Sequence, residues 1–298
     1  LSTLSTDRSA ETSINSIAIL GAGTMGHGIA QVAAAANYPV IIFEVNKEAL
    51  ARGVAAIERN LAKGIQLAKL TEEDRDNIRQ RIRGTIELPE IAGADLIIEA
   101  VPEKLDLKQG LLREVETLTS PNAIFASNTS SLSIGDIASV STRPERVAGM
   151  HFFNPVHLMR LVEIVVGPRT SEATAQTIAA VARRLRKEPI TVRDVPGFAS
   201  SRLGVTLGLE AMRMLEQGVA SAKDIDTAME LGYNHPMGPL RLTDVVGLDV
   251  RLNIAEYLYT ALDSETFRPP EILRRMVSEG KLGKKSGEGF YQWGEATG

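Results

Sequence analysis

The segment from Ile17 to Gly26 constrains this chain more than any other. An apolar run, Ile17 to Leu20, enters Gly21-Ala22-Gly23-Thr24-Met25-Gly26. Behind it, Met25, Ile29, Val32 and Ala36 recur at helical spacing, so the order is strand, glycine turn, helix. Gly21 permits the tight turn, Gly23 lets the backbone come close to a ligand, and Gly26 lets the helix pack on the strand. The helix start adds N–H donors and a positive dipole end, which together suit a pyrophosphate. A second apolar run, Val40 to Phe43, ends in Glu44, 18 residues beyond Gly26. An acid there accepts hydrogen bonds from an adenosine ribose and repels a 2′-phosphate, which favours NAD over NADP. The alternative is a strand–turn–helix with no ligand, and the strand, helix and acid together weigh against it.

At 298 residues the chain has room for two domains with substantial cores. Its net charge of −4 gives no general electrostatic case for nucleic acid or an anionic membrane. The basic cluster Arg183 to Lys187 ends an expected helix, where cations are favourable and solvated. With no cysteine there is no disulfide, thiolate nucleophile or cysteine metal site, and a reducing, cytoplasmic location is the expectation. No apolar run reaches membrane-spanning length, and the four histidines show no zinc spacing. Residues 1–13 lack periodicity and are expected to be a flexible tail.

After Glu44 the pattern predicts a helix from Lys47 to Leu67. Thr71 with Asp74 forms a capping-box start for another, running to about Arg83. These charged helices interrupt the βα alternation and are expected to form a hairpin projecting from the sheet. Apolar runs then follow at Asp95–Ala100, Ala123–Ala126, Arg146–Met150 and Leu161–Val166, with helical segments between the first three. Ser171 to Arg186 reads as a helix and Pro189 to Val192 as a last strand. From Val195-Pro196-Gly197-Phe198 the chain becomes helical, with segments Ser201–Gln217, Ser221–Leu231, Thr243–Leu262 and Pro270–Glu279. The expected fold is α/β, a doubly wound Rossmann-type sheet over residues 14–192 with its hairpin. An all-α domain for substrate and dimer contacts is expected over 193–298, the boundary falling near 189–196.

Three groups are candidates for chemistry. Ser127-Asn128-Thr129-Ser130-Ser131 follows a strand, and ligands of open parallel sheets bind beyond the carboxyl ends of strands. An ordinary Ser/Thr-capped loop explains it equally well. His151-Phe152-Phe153-Asn154-Pro155 follows the next strand. Glu163 lies inside Leu161-Val162-Glu163-Ile164-Val165, where an unpaired charge is costly. Adjacent strands can join His151 and Glu163, so that the carboxylate orients the imidazole and the other ring nitrogen takes a proton from an alcohol. A strand-edge glutamate reaching water, beside a structural histidine, is the competing reading.

Together these segments resemble the short-chain L-3-hydroxyacyl-CoA dehydrogenase family. The matching motifs are Gly21-Ala22-Gly23-Thr24-Met25-Gly26, Ser127-Asn128-Thr129-Ser130-Ser131-Leu132, His151-Phe152-Phe153-Asn154-Pro155-Val156 and Leu161-Val162-Glu163. Val195-Pro196-Gly197-Phe198, Pro236-Met237-Gly238-Pro239 and Gly287-Glu288-Gly289-Phe290-Tyr291 follow in family order. The resemblance implies NAD as cofactor and an acyl-CoA substrate. It makes His151 the general acid/base, Glu163 its orienting partner and Ser130 a contact to the substrate's 3-oxygen near the nicotinamide. Gly21, Gly23, Thr24, Met25, Gly26, Glu44, Glu103, Lys108, Asn154 and Lys285 fall on the cofactor side, and Lys63 on the CoA side. A homodimer is also implied.

One position departs from the family. Pro-Gly-Phe-x-x-Asn-Arg becomes Pro196-Gly197-Phe198-Ala199-Ser200-Ser201-Arg202, so Ser201 stands where the family's active-site Asn is expected. Serine is shorter and lacks the amide's second group. The segment Gly232 to Pro239 is also longer than the usual form. A related dehydrogenase of the gulonate or lambda-crystallin type, acting on a free hydroxy acid or polyol, and a non-catalytic NAD-binding relative remain alternatives.

Overall fold

The computed structural model describes residues 13–294, so the expected tail over residues 1–13 lies almost wholly outside the described residues. Two compact units divide between Val195 and Pro196. In the first, β1 (Ile17–Leu20), α1 (Gly26–Ala35) and β2 (Val40–Phe43) follow the strand–turn–helix pattern. α2 (Lys47–Gln66) and α3 (Glu72–Gln80) form the hairpin. The Thr71–Asp74 capping box starts α3, each residue satisfying a backbone N–H of the other. Ile57 and Leu61 of α2 and Ile78 of α3 join the core with Ile29, Ala30, Ala33 and Ala34 of α1. That apolar stripe fixes the hairpin to α1, while its charged faces stay outside.

The chain continues through β3 (Ile82–Thr85), β4 (Leu96–Glu99), α4 (Leu105–Leu118), β5 (Ile124–Ser127) and α5 (Ile134–Ala138). It ends the sheet with β6 (Val147–Phe152), β7 (Leu161–Val166), α6 (Glu172–Arg184) and β8 (Glu188–Arg193). The strand order is β3-β2-β1-β4-β5-β6-β7-β8. β1 to β6 pair in parallel, the doubly wound Rossmann arrangement, and this sets the carboxyl ends of β1, β2, β4 and β5 along one rim. β7 then runs antiparallel to β6, with β8 parallel to β7. The helix expected to reach about Arg83 stops at Gln80. Ile82 to Thr85 instead pair with Val40 to Phe43 as an edge strand, and only Thr85 of the four is buried. An edge strand this short and exposed carries little apolar alternation.

The second unit is helical among its described residues, with α7 (Ser200–Glu216), α8 (Ala222–Gly232), α9 (Pro239–Val246), α10 (Leu248–Leu262) and α11 (Glu271–Ser278). The single helix expected over Thr243–Leu262 is two. Gly247, at φ 104°, breaks it, and Pro239 opens α9 at its first turn. Val205, Leu209, Met212, Leu240, Leu248 and Leu258 form the centre of a separate core. The buried Asp244 carboxylate accepts the Phe290 and Tyr291 N–H groups, each at 2.9 Å, and the Trp293 indole at 2.8 Å. A Cβ on Gly289 would overlap this carboxylate, which gives the terminal glycine motif a packing role. Among the described residues no helix is long and apolar enough to cross a membrane.

Candidate active site

The glycine turn meets the steric demands read from its sequence. A Cβ on Gly26 would overlap the Gly21 carbonyl, and Gly21 itself sits at φ 99° against Ala100. Gly23 differs: a Cβ there would meet nothing within 4 Å, so this backbone faces open space. Thr24 is exposed, and Met25 occupies the N-cap position of α1 without a side-chain capping hydrogen bond. Glu44, at the end of β2, is drawn to the turn because its Oε2 accepts the Ala22 N–H at 2.9 Å and its Oε1 the Val45 N–H at 2.8 Å. An open, N–H-rich turn with a carboxylate at its side fits the phosphates and ribose of a dinucleotide.

His151 and Glu163 are directly opposite in the antiparallel β6–β7 register. The His151 Nδ1 lies 2.8 Å from Glu163 Oε2, with Glu163 fully buried and His151 buried. The Phe153 ring packs on the imidazole with centroids 4.6 Å apart. A buried carboxylate beside Nδ1 selects the tautomer carrying the proton there, which leaves proton exchange to Nε2. Asn154 follows on the exposed chain leading out of β6.

A second network holds the Ser130 loop. Lys108 of α4 is 1% exposed, and its ammonium lies 2.7 Å from Glu99 Oε1 and 3.2 Å from Glu103 Oε2. It also donates to the Val101 carbonyl at 3.4 Å. Glu103 Oε1 accepts the Thr129 hydroxyl at 2.6 Å and the Ser130 and Ser131 N–H groups at 2.9 and 3.1 Å. Burial pushes the Glu103 carboxyl up, but the Lys108 charge, the Thr129 hydroxyl and the Ser130 N–H outweigh it and hold the group below its ordinary range. Glu99 Oε2 accepts the Ser127 hydroxyl at 2.6 Å, and Asn128 Oδ1 accepts the Phe152 N–H at 2.8 Å. The loop is thereby tied to the residue beside His151.

Sequence reasoning missed Glu99 as a site residue and gave Asn128 no individual role. The signal for Glu99 was present: an acid closing an apolar run, much as Glu44 follows β2.

Lys63 lies in the last turn of α2. Nearby is a cavity of about 530 Å³ between α1, the α2–α3 hairpin, the chain leading into β7 and the α6–β8 connection. Among the described residues, its lining carries Lys69, Arg81, Arg160, Arg186 and Lys187 against the single carboxylate of Asp74. His157, also in the lining, is held below its ordinary range by burial first, then by Lys187, His27, Lys63 and Lys69. Ser201 and Lys285 belong to the second unit. Ser201 is half-buried at the start of α7, and the Lys285 ammonium is 2.7 Å from Asp249 Oδ2.

Comparison with known proteins gives the same answer across both units. Residues 16–195 match the family model described as 3-hydroxyacyl-CoA dehydrogenase, NAD binding domain, and residues 197–293 match the 3-hydroxyacyl-CoA dehydrogenase, C-terminal domain. A probable 3-hydroxybutyryl-CoA dehydrogenase of Bacillus subtilis is 44% identical over 95% of this chain and 99% of its own length. The mitochondrial hydroxyacyl-coenzyme A dehydrogenase of Sus scrofa is 40% identical over 94% of this chain and 91% of its own. The crystal structure of (S)-3-hydroxybutyryl-CoA dehydrogenase from Ralstonia eutropha superposes with a TM-score of 0.92 at 42% identity, covering 95% of this chain and 100% of that one. The chain belongs to the 3-hydroxyacyl-CoA dehydrogenase family and is an NAD-dependent oxidoreductase of that family.

Proposed function

We propose that this protein interconverts (S)-3-hydroxyacyl-CoA and 3-oxoacyl-CoA, with short acyl chains such as 3-hydroxybutyryl-CoA and acetoacetyl-CoA as substrates. The observation that carries the reading is the buried His151–Glu163 rung, tied through Asn128 to the Ser130 loop. NAD, when bound, supplies the hydride acceptor or donor for carbon 3 of the substrate. The turn from Gly21 to Gly26, with Thr24 and Met25, would hold its phosphates and Glu44 its adenosine ribose. Glu103, Asn154 and Lys285 would hold the nicotinamide half. Lys108 has its ammonium engaged by Glu99, Glu103 and the Val101 carbonyl, so it acts on the cofactor through Glu103.

In oxidation, His151 takes the 3-hydroxyl proton at Nε2 while Nδ1 stays on Glu163. The resulting imidazolium is stabilised by the buried carboxylate, an arrangement whose loss costs proton transfer and orientation together. In reduction, the imidazolium returns the proton to the forming alkoxide. The Ser130 hydroxyl steadies that oxygen, and Ser201 takes the position that the family gives to an amide. The cation-lined cavity near Lys63 supports a CoA substrate, whose nucleotide end carries several phosphate charges. We further propose a homodimer, supported by apolar side chains left exposed on the second unit, among them Leu203, Leu231 and Tyr233.

The test is NADH oxidation with acetoacetyl-CoA beside free acetoacetate. Turnover of the thioester, and little of the free acid, is expected. Equal rates on both would point to the non-CoA alternative, and no turnover of either would overturn the proposal.

A further inference from the structure

Lys108 raises a question that its own ion pair does not answer. An ammonium 1% exposed needs one buried carboxylate, and Glu99, fully buried at 2.7 Å, supplies it. A second carboxylate, on Glu103, also faces the same ammonium at 3.2 Å. Glu103 is partly exposed, and its other oxygen gathers the Thr129 hydroxyl and the N–H groups of Ser130 and Ser131. A pair serving only to neutralise charge in the core would need no such extension.

Glu99 also holds the same loop from the opposite side. Its Oε2 accepts the Ser127 hydroxyl at 2.6 Å, and its backbone carbonyl accepts the Asn128 N–H at 2.7 Å. Asn128 in turn accepts the Phe152 N–H, one residue from His151. Glu99 Oε1 also accepts the Val101 N–H at 2.8 Å, and the intervening Ala100 lies against Gly21 of the cofactor turn. Two branches therefore start at one carboxylate. One runs through Lys108 and Glu103 to Ser130, and the other through Ser127 and Asn128 to the flank of His151.

We infer that Glu99 is a positioning residue: it sets the Ser130 loop and the Glu103 carboxylate in register with the cofactor turn and His151. Glu99 touches no reacting atom. Replacing it by glutamine keeps its volume but removes the nearer of the two carboxylate charges that share Lys108. The ammonium, left with Glu103 as its only carboxylate, then draws closer to it, pulls that carboxylate from the Ser130 and Ser131 N–H groups, and loosens the loop.

The kcat arm of the test rests on the proposed dehydrogenase reaction; the NADH-binding arm does not. In Glu99→Gln, NADH affinity measured by fluorescence titration should weaken about tenfold, the scale of one charge-assisted hydrogen bond. The kcat with acetoacetyl-CoA should fall by a similar factor, with its KM changed by less than about twofold. In Glu99→Gln/Thr129→Val, the loss should be no larger than that of the worse single variant, because both substitutions cut one chain of contacts. A lower melting temperature with NADH affinity and kcat unchanged would reduce Glu99 to a core ion-pair partner and overturn the inference. Independent, multiplying losses in the double variant would overturn it as well. Should Glu99→Gln not fold, Ser127→Ala cuts the second branch at a small hydroxyl, and the same kcat and NADH readouts decide. If the wild type binds NADH but does not turn over acetoacetyl-CoA, the proposed function fails while the NADH titration still judges Glu99.

Discussion

The proposed acid/base role of His151 rests on surroundings that settle which nitrogen carries the proton: a carboxylate that is fully buried and one hydrogen bond away. His151→Ala should therefore lower kcat by about 10²–10⁴ while NADH affinity stays near wild type, measured by steady-state assay and fluorescence titration. Near-normal turnover would remove His151 from the mechanism. Glu103 gives a pH signature. Its carboxyl titrates below the ordinary value of 4.5, so its stabilising contribution is present above that value and is lost as pH falls through the lowered folded-state pKa. Melting temperatures of the wild type should fall more steeply with acid below about pH 4.5 than those of Glu103→Gln, and parallel curves would contradict this. At this scale the sequence revealed residues whose neighbours along the chain declare them. Glu163 stood out because an apolar run surrounds it. Glu99 carried the same kind of signal at the end of an apolar run, but its role shows only once the fold gathers Lys108 and Ser127 around it.

The elements divide into those that announce themselves and those that tertiary contacts impose. The glycine turn was legible because its demands are local: a positive φ at Gly21 and a helix start too close for a Cβ at Gly26. Gly26 and Gly23 should differ in what substitution does to stability. Gly26→Ala puts a methyl onto the Gly21 carbonyl and should lower the melting temperature and impair NADH binding together. Gly23→Ala meets open space, so the melting temperature should hold while NADH affinity drops; unchanged affinity would mean that no ligand approaches this backbone. β3 was hidden because an edge strand of four residues, paired on one side, needs little apolar pattern. The break between α9 and α10 was visible in principle at Gly247, but a lone glycine inside a helical pattern is ambiguous until its φ is known.

For the whole molecule, the sequence carried the order of folding units well, because alternating strands and helices give way to helices alone near Pro196. It carried the direction of β7 poorly, since an apolar run does not say which way it points. The proposed homodimer belongs to this scale. Light scattering at micromolar concentration should give twice the chain mass, and charged substitutions at Leu203 and Leu231 should shift it toward the monomer. A monomeric wild type would leave those exposed apolar side chains without the proposed role.

The antiparallel turn from β6 to β7 has a consequence for how such a protein can be altered. His151 and Glu163 occupy one rung of a ladder, so their spacing is a property of two backbones rather than of two flexible side chains. Under the proposed mechanism the proton-handling pair is therefore a fixed cartridge: wherever β6 and β7 pair in this register, His151 and Glu163 arrive opposite one another, whatever loops surround them.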